Sequence, residues 1–182
     1  MRSAGQFGIV SIFRGFDARL SWWMARHGPR LARWSLGLVF LWFGAIKFVP
    51  GLSPADGLAT RTIETLTLGL VEPWLSRPTL AAWECLIGLG LLSGVWLRAT
   101  LLLLALQMLG TLTPLAIFPG ETWSRFPVAP TLEGQYIIKN VVLVAAALVV
   151  GATVRGGGMI ASPRVARPAQ EADAREARAM PT

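Results

Sequence analysis

Six side chains able to do chemistry stand inside otherwise apolar stretches of this sequence: Lys47, Glu84, Gln107, Thr111, Lys139 and Asn140. A charge at the centre of a bilayer costs about 3 kcal/mol on insertion scales. Each charged group therefore needs a partner, water or a shallow position. The economical expectation is an inward-facing cluster in which Glu84 pairs with Lys47 or Lys139. The alternatives are a Glu84 that carries its own proton, and lysines that reach back to the membrane edge along their own stems. Gln107 suits a bridge between helices as well as a ligand contact. No catalytic set emerges from these residues. Other chemistry is excluded by count. The single cysteine, Cys85, forms no disulfide within the chain and no CxxC redox pair. The single histidine, His27, rules out a multi-histidine metal site and bis-histidine haem ligation. No metal is expected, and no nucleotide-binding loop is present.

The elements that position these residues follow from composition. Hydrophobic residues make up 53% of the chain and charged residues only 15%, against about 25% charged in a typical soluble domain. The apolar residues come in blocks: 33–50, 78–97, 99–118 and 135–154. A span needs about 20 residues. Backbone groups in lipid must bond within their own segment, so each block is expected to be a helix. The blocks do not alternate in polarity as barrel strands do. The expected fold is an all-α integral membrane four-helix bundle. Its helix faces support an inward cluster: Glu84 shares a face with Gly88, Gly44 lies three residues before Lys47, and Gln107, Gly110, Thr111 and Pro114 follow one stripe. Small residues such as Gly37, Gly44 and the Gly90-x-x-x-Gly94 pair mark close helix approaches.

The net charge of +7 does not indicate nucleic acid, because the excess flanks the apolar blocks. Arg2, Arg14, Arg19, Arg26, Arg30 and Arg33 precede or open the first block. Arg155, Arg164, Arg167, Arg175 and Arg178 follow the fourth, and Arg98 sits in the turn between the second and third. The opposite side has Arg61, Arg77 and Arg125. The positive-inside rule then puts both termini in the cytoplasm of a multi-pass protein of a bacterial-type inner membrane. Residues 1–32 read as a basic amphipathic arm, with Phe7–Met24 a helix on the membrane surface and Gly28–Pro29 its break. Residues 62–75 form an amphipathic loop segment. Residues 155–182 are expected to be a disordered tail, with a charge-paired helix over 169–180 as the alternative.

With these pieces in order, residues 33–154 resemble the DoxX-like family of small four-helix membrane proteins, including its YkgB-type relatives. The resemblance rests on Arg33, Leu36, Gly37, Phe40, Gly44 and Lys47 in RWSLGLVFLWFGAIKF, on ECLIGLGLLSG, on ALQMLGTLTPL, and on Gly134, Gln135, Lys139 and Asn140 in FPVAPTLEGQYIIKNVVLVAAAL. It implies a membrane subunit of a redox or oxidative-stress system, since members are associated with a thiosulfate–quinone oxidoreductase subunit, with resistance to reactive oxidants and with membrane redox complexes. On that reading the chain binds a quinone or similar amphiphile between its helices, and a soluble protein partner supplies the redox centre. Membrane lipid is the other expected partner, and a homo-oligomer stays open. The competing expectations are a non-enzymatic scaffold or assembly factor and, with less support, a transporter of small solutes.

Overall fold

The computed structural model describes residues 4–53 and 56–179, with only the backbone described over residues 4–14 and at 173, 177 and 179. The expected stripe residues Ile9, Ile12 and Phe13 and the basic Arg14 therefore lie outside the described side chains, and Arg2 outside the described residues. The described chain is almost entirely helical: α1 (Ala4–Ile46), α2 (Asp56–Leu66), α3 (Pro73–Ser93), α4 (Leu97–Leu112), the single turns α5 (Pro114–Ile117) and α6 (Pro119–Thr122), α7 (Leu132–Ala152) and α8 (Pro163–Ala179). A small antiparallel hairpin, β1 (Trp123–Arg125) with β2 (Ala129–Pro130), precedes α7. The chain divides into two compact units, one of Ala32–Val154 and one of Met1–Leu31 with Arg155–Thr182.

Local chemistry accounts for the helix ends in the Ala32–Val154 unit. Pro73 opens α3, where its missing N–H costs nothing, and Gly94 closes it in the left-handed conformation at φ 74°, donating to the Gly90 carbonyl. Thr131 caps α7, its hydroxyl oxygen accepting from Gly134 N–H at 3.2 Å, with Glu133 in the first turn. A Cβ on Gly134 would strike the Thr122 carbonyl, so this glycine lets α7 start directly against the end of α6. α4 stops at Leu112 because Pro114 follows and cannot continue the hydrogen-bond ladder; it opens α5 instead.

The core of this unit is Leu36, Phe40, Ile87, Leu91, Leu104, Met108 and Val150. Glycines set its spacing. A Cβ on Gly88 would lie 2.5 Å from the Leu41 backbone nitrogen, and one on Gly37 would crowd Leu92 and the Gly88 carbonyl. Gly90 abuts Thr100 of α4. Gly94 is therefore a helix cap rather than half of a small-residue contact, and the Arg33 guanidinium occupies the space where its Cβ would stand.

Two helical stretches are long and apolar enough to cross a membrane, Leu97–Ile117 and Leu132–Ala152. Only 22% and 11% of their apolar windows are buried by the protein. The core helix of a water-soluble protein would be mostly covered, so these surfaces call for another apolar medium. The expected blocks 33–50 and 78–97 are helical only in part, over α1 to Ile46 and α3 to Ser93. Lys47 lies just beyond α1, in a run of tight turns in which Lys47, Phe48 and Val49 each donate to the carbonyl three residues back.

Two expectations are corrected. Gly28–Pro29 does not break the first helix, because Pro29 lies inside α1. A proline forfeits one backbone bond, and here it is flanked by the helix-forming run of Met24, Ala25 and Arg26 on one side and Leu31, Ala32 and Arg33 on the other. The tail, expected to be disordered with a charge-paired helix over 169–180 as the alternative, is helical over 163–179 as α8, rich in Ala and Arg, with Glu171 and Arg175 one turn apart. In the unit that contains it, Trp23 packs against His27 with ring centroids 5.3 Å apart and the planes tilted by 38°, and the Arg26 guanidinium stands 5.1 Å from the Trp22 ring.

Candidate functional site

Lys47 and Glu84 form an ion pair, with Lys47 Nζ 2.5 Å from Glu84 Oε2 and side-chain exposures of 9% and 11%. Three backbone features bring them together. The turns after α1 carry Lys47 alongside α3, Gly44 lets α1 lie directly against Glu84 and Cys85, and Lys47 Nζ also donates to the Phe43 carbonyl at 3.3 Å, which fixes its direction. From α4, Gln107 Nε2 donates to the other carboxylate oxygen, Oε1, at 3.0 Å. Both oxygens of Glu84 thus accept from a donor, as an ionised carboxylate requires.

This triad lies on the wall of a cavity of about 780 Å³ bounded by α1, α2, α3, α4 and α7. Ligand pockets typically measure about 300–1,000 Å³ and are mostly apolar, with a few convergent polar groups. The walls here are supplied mainly by apolar and aromatic residues such as Phe40, Phe43, Leu80, Trp83 and Ile137. Trp83 is fixed by its indole N–H, which donates to the Leu103 carbonyl at 3.2 Å. The Gln107, Gly110, Thr111, Pro114 stripe lines the cavity, though the Thr111 hydroxyl is spent on the Gln107 carbonyl at 2.8 Å.

The two α7 residues separate. Asn140 lines the cavity together with Glu133, Tyr136 and Ile137. Lys139 does not: it is exposed, and its ammonium stands 5.6 Å from the Tyr136 ring. The expected Glu84–Lys139 alternative is thereby corrected to Glu84–Lys47. Along a helix 133, 136, 137 and 140 share one face, and 139 falls off it.

α2 was only loosely foreseen. The amphipathic segment expected over 62–75 is instead a helix ending at Leu66, and its Leu58, Ala59, Thr62 and Ile63 roof the cavity. Arg61 on its outer face makes two bonds to the Glu121 carboxylate of α6, at 2.8 and 2.5 Å, with its guanidinium 5.7 Å from the Phe118 ring. The neighbouring carboxylate raises the Arg61 pKa still further above its ordinary value. Among the described residues no group of histidine, cysteine and carboxylate side chains could hold a metal ion.

Residues 28–117 match the family model described as DoxX, a stretch that begins inside α1 and ends with α5. No curated protein and no solved structure matches.

Proposed function

The chain belongs to the DoxX-like family, and on that premise we propose that it is a four-span membrane protein that binds a quinone-like amphiphile in the cavity beside Lys47, Glu84 and Gln107. Family and apolar helices together indicate a membrane protein. The four-span reading is supported by outward apolar side chains on all four long helices of the Ala32–Val154 unit, among them Trp42, Leu86, Leu102 and Val142. The distribution of arginines supports cytoplasmic termini in an inner membrane.

One observation carries the ligand reading: a buried ion pair on the wall of a mostly apolar chamber of ligand size. A packed pair alone would leave no chamber. In this reading Lys47 and the Gln107 amide donate to a ligand carbonyl, and the Glu84 carboxylate holds both donors in place. The chain has no CxxC and no haem ligand set, so a soluble redox partner supplies the flavin or metal. Titration of the solubilised protein with decylubiquinone should quench fluorescence from Trp83 and raise the unfolding temperature. Gln107→Leu should weaken both responses. A titration that moves neither signal removes the proposal.

A further inference from the structure

We infer that the cavity selects neutral amphiphiles over anionic ones, and that Glu84 is the residue that sets this preference. The inference rests on the cavity being a ligand site and names the class of ligand it takes. The argument begins with the charges that line it. Lys47 is the cation among the lining residues, and its charge is already met at 2.5 Å by Glu84. Arg77, beside the lining residue Ser76, is not itself part of the lining, and two other cations are engaged away from the cavity. Arg61, on the far side of α2, is bonded twice to Glu121, and Lys139 stands outside over Tyr136. The other ionisable acid on the wall is Glu133, at the start of α7.

An arriving carboxylate or phosphate would thus enter an apolar chamber with its charge unanswered, beside a second acid. Uncompensated buried charge is among the most unfavourable arrangements in a protein. A neutral carbonyl meets no such obstacle. Lys47 and the Gln107 amide each keep an N–H beyond those already engaged, and Asn140 offers another amide across the chamber. Specificity here comes from a repulsive element as much as an attractive one. If Glu84 were neutral, the same lysine would become an anion receptor.

The test uses the full chain in zwitterionic lipid nanodiscs, with empty discs as the partition control, in mildly alkaline buffer that keeps laurate ionised. Three probes are titrated: laurate, methyl laurate and decylubiquinone. The ester and the acid share a tail and a carbonyl and differ in charge. Wild type should bind methyl laurate about tenfold more tightly than laurate, a difference of about 1.4 kcal/mol. Glu84→Gln should invert that order by strengthening laurate, and Lys47→Gln should leave the ester preferred. Equal binding of acid and ester by wild type overturns the inference. So does an unchanged ratio in Glu84→Gln, or a lost preference in Lys47→Gln. If Glu84→Gln does not fold, the wild-type and Lys47→Gln comparisons still decide. Discrimination between ester and acid with no decylubiquinone binding would overturn the quinone reading and leave this one standing. Binding of none of the three overturns both.

Discussion

Toward one end of the Ala32–Val154 unit, Leu36, Ile87, Leu91, Leu104 and Val150 close on one another. Further along the same helices, Lys47, Glu84 and Gln107 stand around a chamber. Phe40 and Met108 belong to both regions. At the closed end, glycines remove side chains where backbones meet. At the open end Gly44 still lets α1 meet α3, but the polar side chains of Lys47, Glu84 and Gln107 bond to each other along the wall without filling the gap. The contrast teaches that a mostly apolar bundle can keep a cavity where its few polar groups satisfy one another at the wall.

The largest test of this contrast is at the pair itself. Glu84→Ala should destabilise the protein by about 3–5 kcal/mol, because it leaves the Lys47 ammonium buried without a counter-charge. The double variant Lys47→Met with Glu84→Leu should recover most of that loss, since an apolar pair of similar volume needs no partner. Denaturant unfolding in detergent measures both. A double variant as unstable as the single one would mean that packing, not charge compensation, governs the open end.

Glycines sharpen the comparison at the next level. Gly88→Ala places a Cβ 2.5–2.7 Å from Leu41 backbone atoms and should cost about 1–3 kcal/mol in thermal unfolding. Gly110→Ala, on the cavity wall, places its Cβ within 4 Å of nothing. It should leave stability within about 0.5 kcal/mol of wild type. Equal losses at the two positions would erase the distinction between a closed and an open end.

How much of this was legible depends on the kind of signal. A charge in an apolar run demands a partner, so Glu84, Lys47 and Gln107 stood out before any coordinates. Which lysine would answer Glu84 was not decided by depth, because Lys47 and Lys139 lie at similar distances from the ends of their blocks. Helical phase decides it. Glu133, Tyr136 and Asn140 share a face, and Lys139, one residue from Asn140, leaves that face. The roof was hidden for another reason. Residues of α2 reach the chamber only once that helix packs against α3, and a loop helix carries no mark of what it covers. At the Gly28–Pro29 step and in the tail, the helix propensity of the neighbouring residues outweighs a proline and low hydropathy. Lys139→Met, accordingly, should leave decylubiquinone affinity unchanged, and a loss comparable to that of Gln107→Leu would return Lys139 to the site.

The smallest expected effect concerns the roof. The Arg61–Glu121 contact is open to solvent, with side-chain exposures of 51% and 42%. Exposed pairs contribute little to global stability even with good geometry, so Arg61→Ala should leave the unfolding temperature essentially unmoved. What the pair does is join α2 to α6, across the chain from the helices that form the floor. Local opening needs far less free energy than global unfolding and is sensitive to single surface ties. Arg61→Ala should therefore speed amide exchange over residues 57–66 while exchange in α3 around Glu84 stays slow. High salt should do the same to wild type, since screening weakens exposed ion pairs. If both segments accelerate together, roof and floor open as one unit, and the difference between the open and closed ends does not extend to the cover above them.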